Sequence, residues 1–297
     1  MYNTSAHTID SLYCKIGKAL YTEGKLVSPR GMTTRELSPV ALTLELPNAN
    51  ILMNLGRKAS KAFMGAELLW ILAAREGVKQ LAFYNKNMLN FSDDGKTLAG
   101  AYGPRLMNQF AYVFNTLQTD PNSRQAVITI WTPNPAPSKD IPCTVMLHFL
   151  IRDRHLDLMV YMRSNDFWLG LPYDIHNFTC IQILFAKLLQ VNTGRYHHFV
   201  GSLHLYEQNF EACRNMPTTT CSGLTPDPNF TTITQFYHDL QEAMSFENDL
   251  RFFYDHDFQQ VEAYVTPEIL NFRNLFFKQK LVWLLEKARS KHETKHR

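Results

Sequence analysis

Between Ser60 and Glu76 the apolar residues fall at helical spacing: Phe63, Ala66, Trp70 and Ala73 lie three and four apart and line one face. The same period returns through Ile175, Phe178, Ile181, Phe185 and Leu188, which predicts a helix over Ile175–Leu189. Two segments alternate instead, Cys143–Ile151 and Leu156–Met162, and the charged turn Arg152–His155 between them predicts a β-hairpin. Further strands are expected at Val40–Leu46, Gln125–Thr132 and Phe199–Leu205, and further helices at Leu106–Leu117, Tyr206–Arg214 and Pro267–Lys291. Turn-forming stretches punctuate these elements: SPRGMTT at Ser28–Thr34, SDDGK within Asn85–Gly103, DPNS at Asp120–Ser123, PNPAPSKDIP before Cys143, and Thr218–Pro228. Strands and helices mix without βαβ alternation, so the expected class is α+β. No repeat, low-complexity tract or linker divides the chain, and residues 1–297 read as a single domain.

With 45% hydrophobic residues and 19% charged, the chain can bury a large core and does not resemble a disordered segment. A net charge of +3 does not argue for nucleic acid; a small anion would be met by a few placed arginines. No apolar run reaches the roughly 18 residues of a membrane span. The N-terminus, MYNTSAHTID, lacks the pattern of a signal peptide. Five cysteines without a CxxC pair argue against a disulfide framework or a zinc ribbon, so a cytoplasmic protein is expected. His197, His198, His292 and His296 have no metal-ligand spacing with a third residue and are read as surface residues; no metal is expected.

Two regions hold chemistry. Cys143 follows Pro142 where a proline-rich loop meets a strand, and the hairpin could return Arg163 beside it, giving the cation that a nucleophilic thiolate needs. Taken alone, a cysteine opening an apolar strand is more often inert core. The stretch from Arg163 to Asp174, RSNDFWLGLPYD, offers a guanidinium fork and a hydroxyl that suit a phosphate; its bland reading is a solvated loop with Asp174 as a helix N-cap. Glu67 sits among Phe63, Met64, Trp70 and Ile71, where a poorly solvated carboxyl would have a raised pKa and could relay protons; a buried structural glutamate is the alternative.

RSND…GLPYDI, preceded by Pro142–Cys143 and followed by GSLHLY at Gly201–Tyr206, resembles the thymidylate synthase and deoxycytidylate hydroxymethylase family. ELLW at Glu67–Trp70, AYG at Ala101–Gly103 and DPNSR at Asp120–Arg124 fall in the order that this family shows. The resemblance implies a thymidylate synthase-like fold, a large mixed β-sheet flanked by helices, and a homodimer formed through that sheet. It implies Cys143 as the nucleophile adding to pyrimidine C6. Arg30, Arg163 and Ser164 would be phosphate ligands, and Arg124 would be donated across the dimer interface. Gln125 stands where the family usually has a second arginine. His204 and Tyr206 would bind the sugar 3′-hydroxyl. Tyr102 would lie near the reacting base, and Asp166 and Glu67 on the folate side. The co-substrate implied is 5,10-methylenetetrahydrofolate.

Asp174 departs from thymidylate synthases, which carry Asn there. Uracil offers an N3–H donor and an O4 acceptor, whereas cytosine offers an N3 acceptor and an N4 amino donor. An ionised carboxylate only accepts, so it opposes O4 of uracil and accepts from N4 of cytosine. Asn165 also matches the hydroxymethylases. The chain ends in KHETKHR, without the apolar closing segment of a thymidylate synthase, and Asn87–Phe91 lacks the tryptophan-rich sequence near the folate. Both suggest a wetter site in which water, rather than hydride, completes the reaction. The expected activity is therefore conversion of dCMP to 5-hydroxymethyl-dCMP, in a host cytoplasm if the chain is phage-encoded. CMP, as in nucleoside-antibiotic biosynthesis, is the rival substrate. A divergent thymidylate synthase and a non-catalytic nucleotide- or RNA-binding protein remain alternatives.

Overall fold

The computed structural model describes residues Met1–Lys295, and within them the chain forms two compact units. The first comprises residues 1–59, 110–133 and 142–225, and the second 60–109, 134–141 and 226–297.

The first unit holds eight strands: β1 (Tyr2–Ala6), β2 (Lys25–Val27), β3 (Thr34–Leu37), β4 (Val40–Leu44), β5 (Val127–Thr129), β6 (Thr144–Arg152), β7 (His155–Asp166) and β8 (Asn192–Tyr206). They make one mixed sheet in the order β1-β4-β8-β7-β6-β5, with β3 paired to both β8 and β2. The β1–β4 and β7–β8 pairs are parallel and the remaining pairs antiparallel. The hairpin expected around Arg152–His155 is β6–β7, with Arg152 opposite His155. Helix α1 (Ile9–Glu23) packs against the sheet near β1, β3 and β4. Its N-cap Thr8 accepts from the Ser11 amide, and Ile9, Leu12, Tyr13, Ile16 and Leu20 supply its buried stripe.

Helix α5 (Leu171–Leu188) packs on β7 and β8 and is buried on nearly every side. A helix so enclosed must satisfy its polar groups internally. The Gln182 amide accordingly donates to the Leu156 and Arg195 carbonyls at 2.8 and 3.0 Å, and Thr179 accepts from Asn50 at 2.8 Å. The bland reading of Asp174 as an N-cap does not hold. Gly170 is the N-cap and Pro172 lies in the first turn, where its missing N–H costs nothing, so Asp174 falls inside the helix.

The second unit is helical. It contains α2 (Lys61–Leu72), α3 (Val78–Tyr84), the first residues of α4 (Tyr102–Thr119), α7 (Ile233–His256), α8 (Phe258–Gln260), a π turn (Val261–Val265), α9 (Thr266–Asn271) and α10 (Leu275–Lys295). The short α6 (Phe210–Arg214) belongs to the first unit, after a 3₁₀ turn at Glu207–Asn209. The single helix expected over Pro267–Lys291 is thus two, because Asn274 accepts from the Phe276 amide and starts α10 afresh. Sequence periodicity also passed over α1 and α7. None of the described helices is long and apolar enough to cross a membrane.

Candidate active site

Cys143 ends the proline-rich loop and is half-buried. Immediately after it β6 carries a bulge: the register with β7 shifts between Thr144 and Met146, and the Val145 carbonyl accepts from both Ile130 and Trp131. A bulge twists its strand and re-aims the neighbouring side chains. The hairpin does return Arg163 to Cys143. The Arg163 amide donates to the Cys143 carbonyl at 2.9 Å, and its Nε donates to the Pro142 carbonyl at 2.9 Å. The guanidinium lies over the Trp131 ring, 5.6 Å from its centroid, which holds a flat cation beside the cysteine.

Beyond Arg163 the two central strands change character together. Leu158, Val160 and Met162 are buried on β7, but further along it is Asn165 that is buried. On β8 the buried set moves from Tyr196, His198 and Val200 to Leu203 and Leu205. The even-numbered side chains thus give way to odd-numbered ones on both strands within a few residues. Asn165 shows that the two sets share a side, because its Nδ2 reaches Met162 Sδ at 3.3 Å. At the switch Gly201 lies so close to β7 that a Cβ there would sit 2.8 Å from the Arg163 carbonyl. Strict alternation predicted nothing of this.

The switch distributes the expected site residues. Ser164 is opposite Ser202 and Asp166 opposite His204, and Ser164 Oγ lies 3.5 Å from His204 Nδ1. The His204 and Tyr206 rings meet edge to face at 5.1 Å. Asp166 Oδ1 accepts from the Trp168 and Leu169 amides at 2.7 and 2.9 Å, while burial, the largest influence, pushes its carboxyl up. Its Oδ2 makes no hydrogen bond among the described residues and can accept from a donor outside the chain. Arg57, unremarked in the sequence, secures this turn. Its Nε donates to the Trp168 carbonyl, and its guanidinium lies over the Trp168 and Tyr173 rings at 5.6 and 5.7 Å.

From α5, Asp174 reaches Asn165, whose Nδ2 donates to Asp174 Oδ2 at 2.6 Å. Burial pushes the Asp174 carboxyl up to about 7; the Asn165 bond works against the rise and the Asp166 charge adds to it. Tyr196 is fully buried and its hydroxyl bonds His198 Nδ1 at 2.6 Å. Its phenol is raised well above the usual range, chiefly by burial and then by Asp174. His198 is not the surface residue expected from the sequence: it is wholly enclosed, and burial holds its imidazole neutral with a pKa of about 3. His197 is half-buried and bonds Thr43 at 3.0 Å, and His292 stacks on Phe258 at 3.9 Å. His296 lies outside the described residues.

Arg30 is exposed in the 3₁₀ turn Pro29–Gly31, in left-handed backbone (φ 53°). Arg124 is exposed in the turn before β5; its carbonyl lies 3.2 Å from His148 Nε2. In the second unit Glu67 is half-buried on α2, where Phe63, Met64, Trp70 and Ile71 are all buried, and Tyr102 opens α4. On α7, His238, Asp239 and Glu242 bring three potential ligand atoms within 4.8 Å, but Asp239 Oδ2 is tied to the Asn274 amide at 2.6 Å.

A mixed sheet with a cysteine and an arginine at the mouth of its central hairpin, and a short turn leading from that hairpin into a buried helix, has a counterpart among known proteins. A family model described as thymidylate synthase matches residues 11–247. The chain belongs to the thymidylate synthase family. Among curated relatives, the deoxyuridylate hydroxymethyltransferase of Bacillus phage SP01 is 36% identical over 232 residues, covering 71% of this chain and 61% of that protein. The chain therefore spans somewhat less than two thirds of the length of that relative.

Proposed function

We propose that the protein is a one-carbon transferase acting on a cytosine nucleotide, converting dCMP, 5,10-methylenetetrahydrofolate and water to 5-hydroxymethyl-dCMP and tetrahydrofolate. The observation that carries the cytosine reading is Asp174, a half-buried carboxyl held by the Asn165 amide at 2.6 Å. Family membership supports the reaction type.

In this reading the Cys143 thiolate adds to C6, and the electron pair displaced towards C5 attacks the methylene carbon of the folate. The Arg163 guanidinium, fixed by Pro142 and Trp131, favours the thiolate and serves the phosphate with Ser164 and Arg30. Negative charge reaching N3 during the addition is met by the proton that Asp174 can hold near neutral pH. Loss of the C5 proton and of tetrahydrofolate leaves an exocyclic methylene. Water adds to that carbon, and Cys143 departs from C6 as C5–C6 becomes a double bond again. Glu67 and Tyr102 take the water-relay and base-side roles, His204 and Tyr206 the sugar hydroxyl, and Asp166 the pterin.

A second copy of the chain completes the proposal. Met146, Tyr161 and Phe199 are register neighbours on β6, β7 and β8, and each is more than a third exposed (37%, 42% and 38%). A continuous apolar row of this kind on a sheet face is suited to burial against another subunit. Arg124, exposed and without a side-chain bond among the described residues, is free to reach across.

A uridylate substrate is the second reading, favoured by the name of the phage relative. Incubating the protein with C5-tritiated dCMP, CMP or dUMP and methylenetetrahydrofolate separates the readings. Fastest tritium release is expected from dCMP; greater release from dUMP would overturn the cytosine assignment. Mass spectrometry of the product distinguishes hydroxymethyl from methyl.

A further inference from the structure

The Asn165–Asp174 pair has an asymmetry that the cytosine assignment does not use. Asn165 Nδ2 can only donate, so the oxygen it touches, Asp174 Oδ2, must accept whether the carboxyl is charged or neutral. Asn165 itself is 2% exposed, and its Oδ1 is buried without a hydrogen-bond partner among the described residues. Turning the amide over would set that oxygen against Asp174 Oδ2, acceptor against acceptor while the carboxyl is ionised, and in either state would replace the N–H contact to Met162 Sδ at 3.3 Å with an oxygen against sulfur. The donor orientation is thereby fixed. Asp174 Oδ1 makes no hydrogen bond among the described residues and is not among the buried unpartnered atoms, so it is the oxygen open to a ligand.

We propose that Asn165 is a positioning residue for base selection: by holding Oδ2 as a permanent acceptor, it makes Asp174 meet the pyrimidine through Oδ1 alone and sends any proton to that oxygen. This rests on the functional reading above and deepens it. A charged Oδ1 accepts from N4 of cytosine and repels O4 of uracil. A protonated Oδ1 donates, and it satisfies N3 of cytosine or O4 of uracil equally well. Discrimination between the bases is therefore a property of the ionised carboxyl, and Asn165 sets where ionisation falls because its N–H stabilises the charged form.

The groups facing Asp174 leave little else to set that balance. Asp166 on β7 adds negative charge, and Tyr196 on β8 is a buried phenol engaged with His198, itself held neutral. Among the described residues, no cation is a cause of the Asp174 shift. A lone amide is thus the stabilising partner of the charge.

The test compares the ratio of kcat/KM for dCMP to that for dUMP, from pH 5.5 to about 9, in the wild type and in Asn165→Leu and Asn165→Ser. In the wild type the ratio should climb about tenfold to a hundredfold through a midpoint near 7. In the variants the midpoint should move up by about one to two pH units, the worth of a hydrogen bond to a charged group. A ratio independent of pH, or variants with the wild-type midpoint, would overturn the assignment. Should a variant turn over too slowly, the carbon-13 shift of the Asp174 carboxyl in the free protein gives the same midpoint without turnover, and an unmoved titration there sinks the Asn165 role. Absence of turnover with every nucleotide in the wild type would instead remove the functional reading and leave the carboxyl titration standing.

Discussion

Replacing Asp174 by Asn exchanges one oxygen for an NH₂ group, and the structure fixes which way the new amide must turn. Asn165 Nδ2 stands 2.6 Å from Oδ2 and requires an acceptor there. The carbonyl oxygen of the introduced amide takes that place, and its NH₂ faces the base as a donor. It then complements O4 of uracil and opposes the N4 amino group of cytosine. One mispaired buried polar group costs about 1–3 kcal/mol, so at pH 8, where the wild-type carboxyl is ionised, dCMP should lose and dUMP gain roughly tenfold to a hundredfold each in kcat/KM. The ratio should also lose its dependence on pH, since no proton remains to titrate. Tritium release from C5, measured with both nucleotides at pH 6 and 8, reads both effects. Unchanged selectivity at pH 8 would refute the reasoning; at pH 6 the protonated carboxyl already donates, and the two proteins should differ little. A stability consequence accompanies the change. The Asp174 carboxyl ionises near 3.8 in an unfolded chain and near 7 in the folded one, so the folded state is penalised progressively as pH rises between those values and fully above 7. The shift corresponds to at most about 4 kcal/mol, and water at the open Oδ1 reduces the expectation to roughly 2 kcal/mol. Asp174→Asn should therefore melt several degrees higher than the wild type at pH 8 and show little difference at pH 4; equal differences at the two pH values would remove burial as the origin of the raised pKa.

Other expectations follow from single contacts. Cys143→Ser should reduce turnover by at least a thousandfold while nucleotide binding, followed by calorimetry, stays within a few-fold; retained turnover would exclude covalent addition at this residue. Arg163→Lys loses the fork that bonds Pro142 and covers Trp131, so KM for the nucleotide should rise about tenfold or more, and an unchanged KM would detach Arg163 from the phosphate. Gly194→Ala would place a Cβ against Asp157 Oδ1, the acceptor of the Arg195 amide, and should cost about 1–3 kcal/mol in a denaturant melt. The double change Tyr161→Glu with Phe199→Glu should abolish self-association in sedimentation velocity, and an unaltered oligomer would place the interface elsewhere.

Much of the central architecture was readable because it obeys simple periods. The β6–β7 hairpin alternates, and α5 carries apolar residues on every side, as a helix enclosed by its own unit should. Helix α7 was less visible. Phe236, Leu240, Ala243, Met244, Leu250 and Tyr254 form its buried stripe, but Glu247 lies within that stripe, neutralised in place by Arg251 at 2.6 Å. The break before α10 did have a signal, Asn274 ahead of Leu275 and Phe276, which was outweighed by the continuous apolar run. The site was legible as motifs, and the pairing of Arg163 with Cys143 follows from hairpin geometry alone. The Asn165–Asp174 bond was not, because the two residues come from a strand and a helix and meet by virtue of the parity change in β7. Arg57 was missed for a similar reason: its partners Trp168 and Tyr173 lie more than a hundred residues away.

The paired change of parity in β7 and β8 also separates the site into parts that can vary independently. Asn165 hangs towards α5 and Asp174, whereas its neighbours Ser164 and Asp166 are aligned with Ser202 and His204. In the proposed reading the base is met by a pair shared between α5 and β7, Asp174 and Asn165, while Ser164, Asp166 and His204 on the strands serve the rest of the nucleotide and the folate. On that reading a lineage could exchange one pyrimidine for the other by altering Asn165 and Asp174, without disturbing the side chains aligned across β7 and β8. The same division warns the engineer that insertions in either strand must be matched in the other, since a one-residue slip would turn the handle of one part into the face of its neighbour.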